Sequence, residues 1–440
     1  MRPVATDLDT GQGPPTTIPL RHFLLALVFL AAGMVMWVVR TVQFPGLGVD
    51  VPPAVVHAVL VGWVCLTILG AMTQFVPVWS GRRLASTRIA QLQLPLVAGG
   101  VAGIVAGFWT GTFWLVPAGG ILASVGIWLF VCNLWWTLPA PGDWDVTETH
   151  FAVALGFLSV VPGVGLLLGL GFLDPGLFAP LGSRTGLVSA HATLAVFGVV
   201  LTTVFGALYQ LASMFTGTQV DAWDRRLQRV ETATYPPGVA VLALGRLLES
   251  GLVARVGAVL TLVGVVAFTA VLWRTMRRRT VAVTPTLARY AVVAVALAVW
   301  AALTVPSWLA DPIAPAARYG GPGGGPVLLF GVVAVVVVGT LYHVVPFLVW
   351  LERYSDRLGH EPVPMVEDLF DHRVARADLW LVVAGASLVT AADLVVLPPL
   401  LGTAGIVTML AGFALAGANL LLVVRPDSDR AGEPGAVGET

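Results

Sequence analysis

The chain contains no lysine. All 24 of its cationic residues are arginines, which excludes a Schiff base or amine nucleophile built on lysine. Charge of either sign is scarce: charged residues are 11% of 440 and cancel to a formal net charge of zero. With no basic block and no interleaving of aromatic and basic residues, nothing marks a nucleic-acid partner. Cysteine is nearly absent. Cys65 and Cys132 stand in separate apolar runs without a CxxC, so neither a thiolate metal cluster nor a disulfide framework is available, and both read as core packing. No Ser/His/Asp set, HExxH or Walker-type loop occurs. The glycine-rich run Gly320–Pro326 lacks the lysine and the strand-to-helix setting of a phosphate loop, and reads as a flexible turn.

What is abundant is apolar. With 57% hydrophobic residues and a mean hydropathy of +0.88, there is too little polar surface to cover a water-soluble globule, so the partner is the lipid bilayer. Runs of about 20 uncharged residues match a hydrocarbon layer of roughly 30 Å, and only helices satisfy their own backbone there. Hydropathy predicts an all-α polytopic fold of twelve spans: 22–43, 53–79, 92–110, 113–138, 150–172, 186–215, 236–252, 254–275, 286–308, 324–351, 377–396 and 399–424. Residues 1–20 and 426–440 are expected to be disordered tails around a membrane domain at 21–425, with no signal-peptide cleavage site.

The spans fall into three blocks of four. Gly70-Ala71-Met72-Thr73-Gln74, Gly206-Ala207-Leu208-Tyr209-Gln210 and Gly339-Thr340-Leu341-Tyr342-His343 close the second, sixth and tenth spans. Gln210 follows Gln74 by 136 positions, and His343 follows Gln210 by 133. Such spacing is the mark of an internal repeat, with arcs at 21–138, 150–279 and 286–425. A weaker echo ends the fourth member of each block at Asn133, Val271 and Asn419. The arginines cluster on one side of this topology, at Arg82, Arg83 and Arg88, Arg225, Arg226 and Arg229, Arg277 to Arg279, and Arg353, Arg357, Arg373 and Arg376. The positive-inside rule then places both termini in the cytoplasm of a cell whose inner (plasma) membrane holds the protein.

Ionisable groups inside spans are costly and mark function. His57 and His191 lie near the outer ends of the second and sixth spans, corresponding members of two blocks. Their registers differ by two residues, about 3 Å of height, so one ligand could be shared. Imidazole binds haem iron and copper strongly, and against this stands the plainer role of a histidine hydrogen-bonded between helices. His343 sits at the inner end, at a different depth, and with Gln74, Tyr209, Gln210 and Tyr342 suggests an inner polar layer between the blocks. His22, His150, His360 and His372 are expected at solvent-exposed ends and loops. Arg246 and Glu249 are spaced to pair on one helix face, Asp393 has no evident partner, and Trp79, Trp135, Trp136 and Trp350 suit an interfacial belt.

Twelve helices in three arcs, with His57 before Gly62-Trp63 and Gly70-Ala71, and His191 before Phe197-Gly198 and Gly206-Ala207-Leu208-Tyr209, resemble the catalytic subunit I of the heme-copper oxidases. The resemblance implies haem as a ligand for His57 and copper or haem for His191, with respiratory-chain subunits as partners. Trp79-Ser80-Gly81-Arg82 after the second span is similar to the nitric-oxide-response family called NnrS. The chain departs from the oxidase pattern where it matters for catalysis. Its tenth span has no histidine before His343 and the run from Pro236 to Leu252 has none, so a complete binuclear centre cannot be assembled. The sequence leaves three readings: an oxidase-like protein with at most one haem or copper, a secondary transporter with a midplane site, and a non-catalytic partner or assembly subunit that kept the fold.

Overall fold

Twelve long helices make up the computed structural model, which describes residues 13–43, 51–178, 182–395 and 398–425. They are α1 Thr17–Gln43, α2 Pro53–Trp79, α3 Thr87–Thr110, α4 Leu115–Thr137, α5 Val146–Leu170, α6 Arg184–Thr216, α7 Ala222–Leu247, α8 Gly251–Arg277, α9 Pro285–Ala310, α10 Gly324–Arg353, α11 His372–Leu394 and α12 Pro399–Val424. Among the described residues there is no strand beyond one isolated bridge, Leu358 to Glu361. Among the described residues, eleven helices are long and apolar enough to cross a bilayer. The chain is an all-α polytopic membrane protein.

Local chemistry fixes the helix starts. Ser86, Ser183 and Thr284 accept the amides of Ile89, Gly186 and Leu287, and Asp145 and Asp221 form capping boxes with Glu148 and Asp224. Each satisfies donors that a helix start leaves orphaned. Two boundaries differ from expectation. α1 begins at Thr17, so residues 17–20 are helix and not tail; the rest of the expected tails, 1–12 and 426–440, lies outside the described residues. α7 begins at Ala222, fourteen positions before the apolar run at 236, because the Asp221–Asp224 box starts it and it continues through Pro236 and Pro237. Its charged first half is why it falls short of the apolarity of the other eleven.

The three blocks are built alike. In each, the third and fourth helices pack backbone against backbone: a Cβ on Gly100, Gly257 or Gly385 would lie 2.3, 2.2 or 2.5 Å from Ala123 N, Leu242 N or Gly405 O. Close approach of this kind is how helices associate without a hydrophobic driving force. The second helix of each block, α2, α6 and α10, stands at the centre, and each contains one π-helical segment: His57–Cys65, Leu194–Leu201 and Val327–Ala334. Each segment ends nine positions before Gln74, Gln210 or His343. π segments are rare and gather at functional sites. Between the three central helices lies an apolar cavity of ≈ 570 Å³, open side included, with Thr67, Ala71, Thr203, Ala207, Val336 and Thr340 on its wall.

Candidate functional site

His57 opens the π segment of α2 and is half-buried. Its Nδ1 donates to the carbonyl of Pro53 at 2.7 Å, which fixes the tautomer and leaves the Nε2 lone pair free, as outer-shell carbonyls do for ligating imidazoles. The ring packs at 5.3 Å on Phe108 of α3. Phe108 meets Phe172, which stacks on Phe113 and lies 4.2 Å beneath the Arg184 guanidinium. His191 sits three residues before the π segment of α6 and against α5, where a Cβ on Gly165 would come 2.9 Å from its Cε1. Its Nδ1 is buried without a hydrogen-bond partner. The two imidazoles are within electrostatic range of each other, and the His191 ring lies against the Val161 backbone of α5. Among the described residues no third His, Cys, Asp or Glu completes a ligand group. His57, with its Nδ1 engaged by Pro53 O, and His191, with an Nδ1 that is buried without a hydrogen-bond partner, are the side chains at this end that could hold a metal or a haem iron.

A second polar set runs through the bundle at the other end. His22 of α1, His150 of α5 and Arg289 of α9 lie under the glycines of the repeated motif: a Cβ on Gly70, Gly206 or Gly339 would meet them at 2.7, 2.7 and 3.0 Å. Each donates to the carbonyl four residues earlier, at Ile18, Val146 and Pro285. Each faces a polar residue on the third helix of its block. His22 Nε2 lies 3.5 Å from Gln93 Nε2, His150 Nε2 bonds both oxygens of Glu231 at 3.0 and 2.9 Å, and Arg289 pairs with Asp378. Tyr209 donates to Glu231, and Tyr342 to Asp378, with Asn419 donating to the Tyr342 hydroxyl. His22, Gln93, His150, Glu231, Arg289 and Asp378 are all at most 1% exposed.

Several expectations change on this geometry. His22 and His150 are buried members of the layer, not solvent-exposed ends, because α1 and α5 begin before them; His360 is exposed, and His372 stacks on Phe370 while its Nε2 bonds Glu367 O. Gln74, Tyr209, Gln210, Tyr342 and His343 do not join into one ring: among the described residues no hydrogen bond links any two of them. The tyrosines turn outward to α7 and α11, Gln74 Oε1 is buried without a partner, and His343 packs edge-on against Phe215 at 4.3 Å. Arg246 does not pair with Glu249, since α7 ends at Leu247 and Glu249 takes φ 52°. Arg246 instead donates to Thr193 Oγ1 and to the carbonyls of Pro312, Ala317 and Arg318, and Glu249 accepts from Ser183. Asp393 accepts the Gly323 amide, which with left-handed Gly320 and Gly323 makes the glycine-rich run a tied turn. Cys132 is exposed on the outside of α4 and not core packing.

The sequence reading passed over Gln93, Glu231, Arg289 and Asp378. A usable signal existed: Glu231 and Asp378 are the acids that follow the N-caps Asp221 and Asp371 by two or three turns, on corresponding helices. The chain matches no protein-family model, and no curated protein is similar to it in sequence.

Proposed function

We propose that this is a redox-linked membrane protein of heme-copper oxidase subunit I type, in which His57 and His191 hold one haem iron or copper ion, serving respiration or nitric oxide handling without a complete binuclear centre. The observation that carries the reading is a His57 ring oriented by Pro53 O within electrostatic range of a His191 whose Nδ1 is buried without a hydrogen-bond partner. When bound, such a metal supplies one-electron chemistry and a coordination position for a small gas. The protein's share is to fix the His57 tautomer, to hold His191 against Gly165, and to pack Phe108, backed by Phe172 and Arg184, on the His57 ring. The arginine asymmetry supports placement in the inner membrane with both termini cytoplasmic, and respiratory-chain subunits would supply the electrons.

The purified full-length protein is expected to give a reduced-minus-oxidised haem spectrum or about one copper per chain by elemental analysis. His57→Ala and His191→Ala are each expected to lose that signal while keeping the helical circular-dichroism spectrum. A wild type that stays colourless and metal-free after incubation with hemin and with copper overturns the reading and favours the non-catalytic partner. A transporter has its own support, the π segments of the central helices together with the fully buried charges of the bundle; solute-driven proton movement in vesicles of the metal-free protein distinguishes it.

A further inference from the structure

The three blocks provide an internal comparison at the inner polar layer. In the first, the partner of His22 is the amide of Gln93, which does not ionise. In the third, the base is the guanidinium of Arg289, which keeps its proton in proteins. Only the middle block joins two groups that both change charge over an aqueous pH range, His150 and Glu231.

The hydrogen bonds count the protons. His150 Nδ1 carries a hydrogen, because it lies 2.6 Å from the Val146 carbonyl, which only accepts. A neutral His150 would then present a bare Nε2 lone pair to a carboxylate oxygen at 3.0 Å, a contact between two acceptors. The distance requires one proton more than a neutral imidazole and a carboxylate bring. The middle block also has a route to water. Tyr209, donating to Glu231 at 3.2 Å, lines a narrow cleft with Ser213, Thr218, Asp224 and Gln228. Thr218, Gln219 and Val220 belong to the α6–α7 connection, so the cleft reaches the arginine-rich face.

We propose that His150 and Glu231 form a proton-binding site that exchanges one proton, and no electron, with the aqueous phase at the arginine-rich face through Tyr209 and this cleft. The proton sits between His150 Nε2 and Glu231 Oε1 and leaves to water, and its departure turns an attractive contact between α5 and α7 into a repulsive one. The other titratable groups facing the pair are Tyr209 on α6, Tyr235 on α7, and Asp145 with Glu148 at the start of α5. Asp224 is held by Arg274 and Arg278 and belongs to the cleft mouth.

The test is pH-difference infrared spectroscopy on the full-length protein in liposomes, with ring-labelled histidine and pyranine inside the vesicles to report the side of exchange. One imidazolium band is expected to titrate, and one carboxylate band to shift in frequency on the same curve as its hydrogen-bond donor is lost. Both are expected to vanish in His150→Arg and in Glu231→Gln, which build into the middle block the kinds of pair that the third and first blocks already fold with. Tyr209→Phe leaves the pair in place and is expected to slow exchange by about tenfold or more. The proposal is overturned if the bands survive in both locking variants or if exchange reaches only the opposite face. Should both variants fail to fold, a labelled wild type in which no histidine titrates with a carboxylate overturns it equally.

Discussion

At the scale of single residues, the largest energies lie in the buried charges. Arg289 and Asp378 are each 1% exposed, and beyond each other they bond Pro285 O, Ala375 O and the Tyr342 hydroxyl. Removing one partner strands an ion in a medium that cannot solvate it, which costs about 3–5 kcal/mol, whereas replacing both with apolar residues of similar volume is far milder. Arg289→Ala is therefore expected to lower the unfolding free energy in mixed micelles by about that amount. The double variant Arg289→Met with Asp378→Leu should recover most of the loss. Equal losses in the two would show that the pair is not what carries the stability. These charges were hard to see in the sequence, because Arg289 and Asp378 are 89 positions apart and His150 and Glu231 are 81 apart. His57 and His191 stood out because an imidazole in an apolar run is conspicuous by itself, while a pair is visible only once the helices are placed.

At the scale of helices, starts are set by caps and so respond to pH. Asp371, at the exposed entrance to α11, accepts the amides of Arg373 and Val374, and the Asn419 side chain of α12 bonds the Asp371 backbone on both sides. The amides of Val374 and Arg373 hold the Asp371 carboxyl below the usual carboxylate range. A carboxyl depressed in the folded state adds stability above its unfolded value and loses it as the pH falls through the folded one. The protection of the Arg373 and Val374 amides against hydrogen exchange is expected to fall on acidification, so that their exchange slows less than the intrinsic base-catalysed rate does. In Asp371→Asn, which caps without ionising, that pH dependence should disappear; its persistence would assign it to another group. Caps also explain what hydropathy could read. It found all twelve helices because apolar runs define their middles, and it misplaced α7 because fourteen polar-rich residues of that helix obey the Asp221 box and the buried partners of α5, not hydrophobicity.

At the scale of the molecule, one four-helix plan used three times accounts for features that no single helix explains. It sets the π segments at equal distance from Gln74, Gln210 and His343, and it places a base under each motif glycine. The repeat was legible from the five-residue echoes because the glycine that opens each one lets the second helix of its block lie against a base on the first. The graded chemistry of the layer, amide, acid and ion pair, was not, since it lies on the first and third helices of each block, outside the echoed motif. An even number of helices also returns the chain to its starting face, and the contacts agree: Thr16 bonds Glu352 at the end of α10, and Arg353 bonds the carbonyls of Val424 and Arg425 at the end of α12. His57 and His191, at the starts of even-numbered helices, are thereby assigned to the other face. Single cysteines placed at Gln219 and Asp174, in a background with Cys65 and Cys132 replaced by serine and alanine, test the arrangement. An impermeant maleimide added to intact cells should label Asp174→Cys and spare Gln219→Cys. The reverse pattern would move the arginine clusters outside and place the histidine pair beside the cytoplasm, where electrons and metal would have to reach it from the opposite direction.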